Sequence, residues 1–293
     1  MHIIILGAAA GGGLPQWNCG CGLCNAARAG RIPSLTQSSV AVSADGKAWA
    51  VLNASPDIRI QMAATPALHP TGLREVPLRS VLLTNGDIDH VAGLLTLREA
   101  QGYDLYATPA IHAALAANPM MAALRPDVVI RRDVALDASV EPAPGLRATL
   151  FAVPGKVPLY QESGTVETGL IGETTVGVEL RANGRRALYI PGCAAMPDWL
   201  RDRIEGADAL LFDGTLWQDD EMIRAGLGHK TGLRMGHMAA RDTIAALDRV
   251  RLGQRIFVHM NNSNPLNDPA SPESAKARAA GWQIARDGME ITP

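Results

Sequence analysis

The sequence predicts an α/β fold in which two packed sheets carry helices on their outer faces. Strand-length runs of β-branched and apolar residues recur along the chain, and helical patterns lie between only some of them. Strands come first, and helix and strand are mixed thereafter, which is not the alternation of a regular βαβ repeat. The predicted strands are His2–Leu6, Ser39–Ser43, Ala48–Leu52, Ser80–Leu83, Leu146–Ala152, Val176–Leu180, Arg186–Ile190, Ala209–Phe212 and Arg255–His259. The predicted helices are Val91–Ala100, Pro109–Ala116, Pro197–Ile204, Ala239–Val250 and Pro272–Ala280. No repeat, low-complexity run or linker interrupts the 293 residues, so residues 1–293 read as a single αββα domain. Residues 153–175 are rich in Gly, Pro and Thr and have no clear period. A loop of that length within a compact domain is usually functional.

Composition narrows the function classes. Hydrophobic residues make up 47% and charged residues 19%, as in a globular chain, and the net charge is -2 without a block of one sign. Nucleic acid and an anionic membrane surface are therefore not expected as main partners. The opening Met1–Gly7 is too short for a signal-peptide core, and no apolar run is long enough to span a bilayer. The expected compartment is the cytoplasm, where thiols stay reduced. There the four cysteines read as metal ligands or core residues before they read as disulfides.

Cys19, Cys21 and Cys24 form a C-x-C-x-x-C cluster within glycines. Three thiolates this close can converge on one soft cation, and zinc takes three thiolates plus one further ligand tetrahedrally. The alternative is three small buried thiols. The fourth ligand lies outside the segment, with His237 and the His259–Asn262 loop as candidates. The preceding Gly11-Gly12-Gly13 is read as a tight turn packed on a sheet. It does not fit the spacing of a dinucleotide-binding loop, and Pro15 and the cysteines follow it instead of a helix.

The strand Val81–Thr84 runs into Asn85-Gly86-Asp87-Ile88-Asp89-His90 and then a helix. Polar residues thus cluster between a strand end and a helix start. Asp89 could cap that helix, but a carboxylate next to an imidazole can also point into one cleft. The segment resembles the metallo-β-lactamase signature [ST]-H-x-H-x-D-H, with Thr84 and Asp89-His90 matching. Asn85 and Asp87 stand where that superfamily has the two histidines of its first metal. The chain has no histidine between His112 and His229, so the mid-chain ligand is missing as well. Pro191-Gly192-Cys193 offers no acid at the place of the bridging aspartate. The second metal position survives as Asp89, His90 and His259, the last at the end of a late strand. One carboxylate and two imidazoles leave coordination positions open and suit non-haem Fe(II). A dinuclear hydrolase needs two ions, and this cleft is predicted to hold one.

Further stretches resemble the PqqB family along nearly the whole chain: Gly11–Cys19, Asn53–Arg59, Asp213–Trp217, Arg234–Met238 and His259–Pro265. The resemblance implies a metallo-β-lactamase αββα sandwich with a structural zinc on the cysteine cluster, acting in pyrroloquinoline quinone (PQQ) biosynthesis. The implied chemistry is iron- and O2-dependent hydroxylation of the tyrosine ring in a Glu–Tyr unit cut from a ribosomal precursor peptide. Carried over by motif, the Fe(II) ligands are Asp89, His90 and His259. Asp57, Asp87, His237 and Asp213 are candidates to face the substrate, with Asp213 alternatively orienting a ligand histidine. Expected partners are the small peptide, PQQ intermediates and O2, and a homodimer is compatible with the sequence. Two rival readings remain. One is a zinc hydrolase or phosphodiesterase that recruits Asn85, Asp87 or Cys193; the other is a non-catalytic carrier of the finished quinone involved in its transport.

Overall fold

The computed structural model describes residues 1–164 and 166–293. Thr165, within the predicted 153–175 loop, lies outside them. Fourteen strands are present among the described residues: β1 His2–Gly7, β2 Ser39–Ser43, β3 Trp49–Leu52, β4 Leu78–Leu82, β5 Tyr103–Ala107, β6 Val129–Asp133, β7 Ser139–Ala143, β8 Leu146–Ala152, β9 Val176–Ala182, β10 Arg185–Ile190, β11 Ala209–Asp213, β12 Gln254–Val258, β13 Trp282–Ile284 and β14 Glu290–Ile291. They form two seven-stranded sheets, ordered β14-β1-β2-β3-β4-β5-β6 and β13-β12-β11-β10-β9-β8-β7. Both sheets are mixed. The first is antiparallel from β14 to β3 and parallel from β3 to β6. The second is parallel from β10 to β13 and antiparallel from β7 to β10.

The sheets pack face to face, as predicted. One continuous buried cluster joins them, and their inner faces are fully covered: Ile5, Leu52 and Leu82 come from one sheet, Leu150, Val178 and Tyr189 from the other. Polar contacts cross the same interface. Tyr189 Oη lies 3.0 Å from Ser38 Oγ, and Ser80 Oγ donates to the Pro142 carbonyl at 2.7 Å. A buried hydroxyl needs such a partner, so these bonds also help to fix the sheet-to-sheet register. The flanking helices are α1 Gly22–Arg28, α2 Ile58–Ala64, α3 Ile88–Val91, α4 Pro109–Ala116, α5 Asp198–Ile204, α6 Glu221–Arg224, α7 Gly232–Met235, α8 Ala240–Ala246 and α9 Pro272–Ala279. None is long and apolar enough to cross a membrane.

Several elements differ from the sequence reading, for identifiable reasons. Strand β6 reads Val-Ile-Arg-Arg-Asp and buries only Val129, because it pairs on one side only. Strand β7 carries Pro142, which an edge strand tolerates because no partner needs that N–H. Neither shows the apolar alternation of a half-buried strand. The helix predicted at Val91–Ala100 starts earlier, as α3, and continues as a 3-10 turn over Ala92–Arg98. Gly93 enables that tight passage: a Cβ there would stand 2.1 Å from the Ser55 carbonyl oxygen.

Candidate functional site

The chemistry-bearing side chains gather where parallel strands end. β4 leads through Thr84 to Asp87, Asp89 and His90; β11 ends on Asp213; β12 is followed directly by His259; β10 is followed by Cys193. In open sheets of parallel strands, the carboxyl ends are where ligands bind.

Asp89, His90 and His259 come together as predicted, with one donor atom from each lying within 4.8 Å of the others. His259 Nε2 is 3.1 Å from Asp89 Oδ2, and the two imidazoles meet edge to face at 5.1 Å. Asp89 does not cap a helix. Position 87 precedes α3 and makes no side-chain cap bond, while the Asp89 carboxylate turns toward His259. Burial opposes charge on Asp89, but His90 and His259 outweigh it and hold the carboxyl well below the usual range. Burial pushes His90 down to about 4, so its ring is neutral near pH 7. His90 Nδ1 donates to Asn85 Oδ1 at 2.7 Å, which leaves the lone pair on Nε2. That Nε2 is buried without a hydrogen-bond partner. An acceptor nitrogen left so, beside an ionised carboxylate, is costly unless a cation engages it. The donor set therefore fits a metal. His259 itself has φ +59°, an unusual left-handed conformation for a non-glycine residue. Met260 N donating to the Ala8 carbonyl at 2.9 Å and His259 Nδ1 lying 2.8 Å from Thr215 Oγ1 hold it there.

Asn85 does more than mark a lost ligand. Its oxygen fixes His90, and its Nδ2 donates to Asp87 Oδ2 at 2.9 Å. Asp87 is raised by burial and by repulsion from Asp89. Replacing Asn85 with alanine should therefore weaken cleft-metal affinity by about 10–100-fold, since the outer partner of a ligating imidazole sets its tautomer and aim. Competition with a metallochromic chelator measures this directly.

A second donor group, Asp213, His237 and His259, shares His259 with the first. This group sets an imidazole and a carboxylate beside the predicted ligands, at positions other than Asn85, Asp87 and Cys193. His237 arrives from the turn after α7, and Asp213 from the neighbouring strand accepts the Cys193 N–H at 2.9 Å. The three are already knit together by Thr215: its Oγ1 donates to Asp213 Oδ1 at 2.7 Å and lies 3.1 Å from His237 Nδ1. His237 Nδ1 and Asp213 Oδ2 are 2.7 Å apart. Burial penalises both charges, yet Asp213 raises His237 and His237 lowers Asp213, so the pair favours an imidazolium–carboxylate bond. Asp213 does orient an imidazole, that of His237. Thr215 was missed by sequence reasoning, and its only signal was its place in Asp-Gly-Thr at a strand end. The glycine turn was also undervalued, because Gly11 brings backbone against Asp89, with a would-be Cβ at 3.5 Å from the carboxylate.

Asp57 is occupied elsewhere. Its Oδ2 accepts from the Gln37 backbone N–H at 2.9 Å and Nε2 at 3.0 Å, and it makes no cap bond to α2.

Cys19, Cys21 and Cys24 also converge, each offering a sulfur within 4.8 Å of the others. Cys21 precedes α1, and its Sγ accepts the Cys24 N–H at 3.4 Å. Burial raises Cys21, but that N–H and the neighbouring thiols outweigh it and lower the group overall. The Asn262 amide sits over the trio, 3.2 Å from Cys19 Sγ and 3.3 Å from Cys24 Sγ. Of the candidates left open for a fourth ligand, the 259–262 loop is the one at the cluster. The amide's oxygen and nitrogen exchange by a flip of the side chain, and the oxygen is the metal-binding end.

Comparison with known proteins agrees with this architecture. Residues 48–260 match the beta-lactamase superfamily domain. The chain is 54% identical to coenzyme PQQ synthesis protein B of Methylorubrum populi over 99% of both chains, and 56% identical to that of Ruegeria pomeroyi over 99% of both. The crystal structure of Zn(2+)-bound PqqB from Methylobacterium extorquens superposes with a TM-score of 0.98 at 54% identity, covering 100% of both chains. A diphosphatase of the PhnP family shares the fold, with a TM-score of 0.70 at 19% identity over 99% of this chain and 96% of its own. With two metal-donor clusters at the strand ends and full-length relatedness above 50%, the chain belongs to the coenzyme PQQ synthesis protein B family of the metallo-β-lactamase fold.

Proposed function

We propose that this chain acts in PQQ biosynthesis as an iron- and dioxygen-dependent hydroxylase of the tyrosine ring in a Glu–Tyr unit derived from a precursor peptide. The names of its full-length relatives support the pathway. The observation that carries the chemistry is the buried, unpartnered His90 Nε2 beside the Asp89 carboxylate and His259. One carboxylate and two imidazoles leave positions open, as ferrous oxygen chemistry requires. A ferrous ion held by Asp89, His90 and His259 would supply the activation of dioxygen.

The chain's own residues orient and insulate. Asn85 and Thr215 fix the two ligand imidazoles. The His237–Asp213 pair keeps a proton at Nδ1 within the cleft. Tyr160 of loop 153–175 bonds to the Gly86 carbonyl, beside Asn85 and Asp87, and would help to wall that side of the cleft from water. The ring exchanges C–H for C–OH, and the second oxygen atom leaves as water with two protons and two electrons from an external reductant. The cysteine trio, with Asn262 beside it, would hold a structural zinc that braces the loop carrying His259.

The test is anaerobic Fe(II) loading, followed by O2, ascorbate as reductant and a Glu–Tyr-containing peptide, with mass spectrometry of the product. The expected result is a gain of one oxygen atom. Unchanged peptide mass with iron bound would remove the hydroxylase, and two zinc ions in the cleft with phosphodiester turnover would establish a hydrolase instead.

A further inference from the structure

Tyr160 and Glu162 of loop 153–175 both bond to residues at the cleft rim. Tyr160 Oη donates to the Gly86 carbonyl at 2.9 Å, next to Asn85 and Asp87. Glu162 meets Arg234 through two bonds of 3.0 and 3.3 Å, and Lys156 Nζ lies 2.9 Å from the same carboxylate. The Glu162 side chain is 9% exposed and Lys156 12%, while Arg234 is 37% exposed, so the carboxylate is covered by two cations, one of which reaches solvent at the rim. Arg234 first, then Lys156, hold Glu162 down to about 2.

The same two cations belong to the cleft. Lys156 is tied to the cleft through Thr175, whose Oγ1 donates to the Lys156 carbonyl at 3.0 Å and whose backbone pairs with Asn85. Its methylenes lie against Gly236, where a Cβ would stand 3.2 Å from Lys156 Cγ, and the next residue is His237. Arg234 is three residues before His237. Beside them the cleft carries the carboxylates of Asp87, Asp89 and Asp213, and the His237 imidazole is already engaged by Asp213. Of the charged groups there, Lys156 and Arg234 are the ones suited to receive the carboxylate of an acidic peptide.

We propose that Lys156 and Arg234 are the carboxylate-recognition pair of the cleft, and that Glu162 occupies them as an internal stand-in until a carboxylate of an acidic peptide displaces it. The inference rests on the reading of the substrate as a Glu–Tyr peptide. The two-bond contact of Arg234 with Glu162 is the geometry an incoming carboxylate would copy. The exchange conserves charge at both cations. Its cost is the release of Glu162, which directly follows the short 3-10 turn Leu159–Gln161.

The experiment is binding, not turnover. Zinc-loaded chain without O2 is titrated calorimetrically with L-Glu-L-Tyr and, in parallel, with L-Gln-L-Tyr amide, which has no carboxylate. Glu162→Gln keeps the shape and removes the competing charge, so the acidic peptide should bind about tenfold tighter and the neutral one unchanged. Arg234→Met should weaken the acidic peptide about tenfold and leave the neutral one as it was. Melting temperatures check that each variant is folded, and if Glu162→Gln does not fold, Arg234→Met decides alone. Equal effects on the two peptides, or unchanged affinity for the acidic one, would overturn the proposal. Oxygen incorporation is read in a separate assay, so a carboxylate effect without hydroxylation would sink the hydroxylase reading only, and hydroxylation without a carboxylate effect would sink this one only.

Discussion

Replacing His259 with alanine is expected to abolish oxygen incorporation and to weaken cleft-metal affinity by more than about a hundredfold, because loss of a ligand should exceed the 10–100-fold cost of losing a ligand's outer partner. His259 is the hinge of the site. It meets Asp89 through Nε2, meets Thr215 through Nδ1, and stacks on His237 with ring centroids 5.4 Å apart. Its removal leaves the Asp89 carboxylate without its imidazole partner in a covered position. His90→Ala should match it in metal affinity by deleting the unpartnered Nε2. Metal content by mass spectrometry, before and after dialysis, separates a lost ligand from a lost fold. A His259→Ala chain that retains stoichiometric cleft metal and full activity would remove this residue from the ligand set.

Cys24→Ala is expected to cost roughly 3–5 kcal/mol of stability and to lower the melting temperature by roughly 10 °C. Cys24 is fully buried, and its sulfur lies 3.3 Å from an Asn262 side chain 238 residues away in sequence. A metal at the trio would therefore tie the N-terminal segment to the loop after β12. That loop is also bonded to the N-terminal segment through Ala10 N, which donates to the Met260 carbonyl at 2.8 Å. Because Asn262 is three residues from His259, losing this brace should loosen the cleft too. Thermal melts with and without a zinc chelator, together with zinc counting, measure both effects. Equal melting temperatures for parent and variant, with no zinc bound to either, would make the cysteines merely buried thiols.

Much of this was legible in the chain itself. The short spacing of Cys19, Cys21 and Cys24, and the adjacency of Asp89 and His90 after a buried strand, are local patterns, and covalent proximity alone brings those donors close. The buried strands were readable for the same reason: a strand covered on both faces is apolar throughout, as in Val81–Leu83. Edge strands β6 and β7 were not, since a strand paired on one side carries arginine or proline without penalty. The conformation of residue 89 also escaped the sequence, because an aspartate at a helix start caps or ligates with identical spelling.

What the sequence by itself determined was the ligand inventory: which histidines exist, which positions of the superfamily signature have lost theirs, and which cysteines cluster. Only the tertiary structure decided how the surviving groups are shared. Asp89 and His259 are separated by 170 residues and meet because parallel strands in two different sheets end at one edge. The partnership of His237 with Asp213 through Thr215, of Asn85 with His90, and of Asn262 with the cysteines follows from strand register and from loop closure around it. Contacts of that range depend on the packing of the whole core, and no local pattern of residue types encodes them.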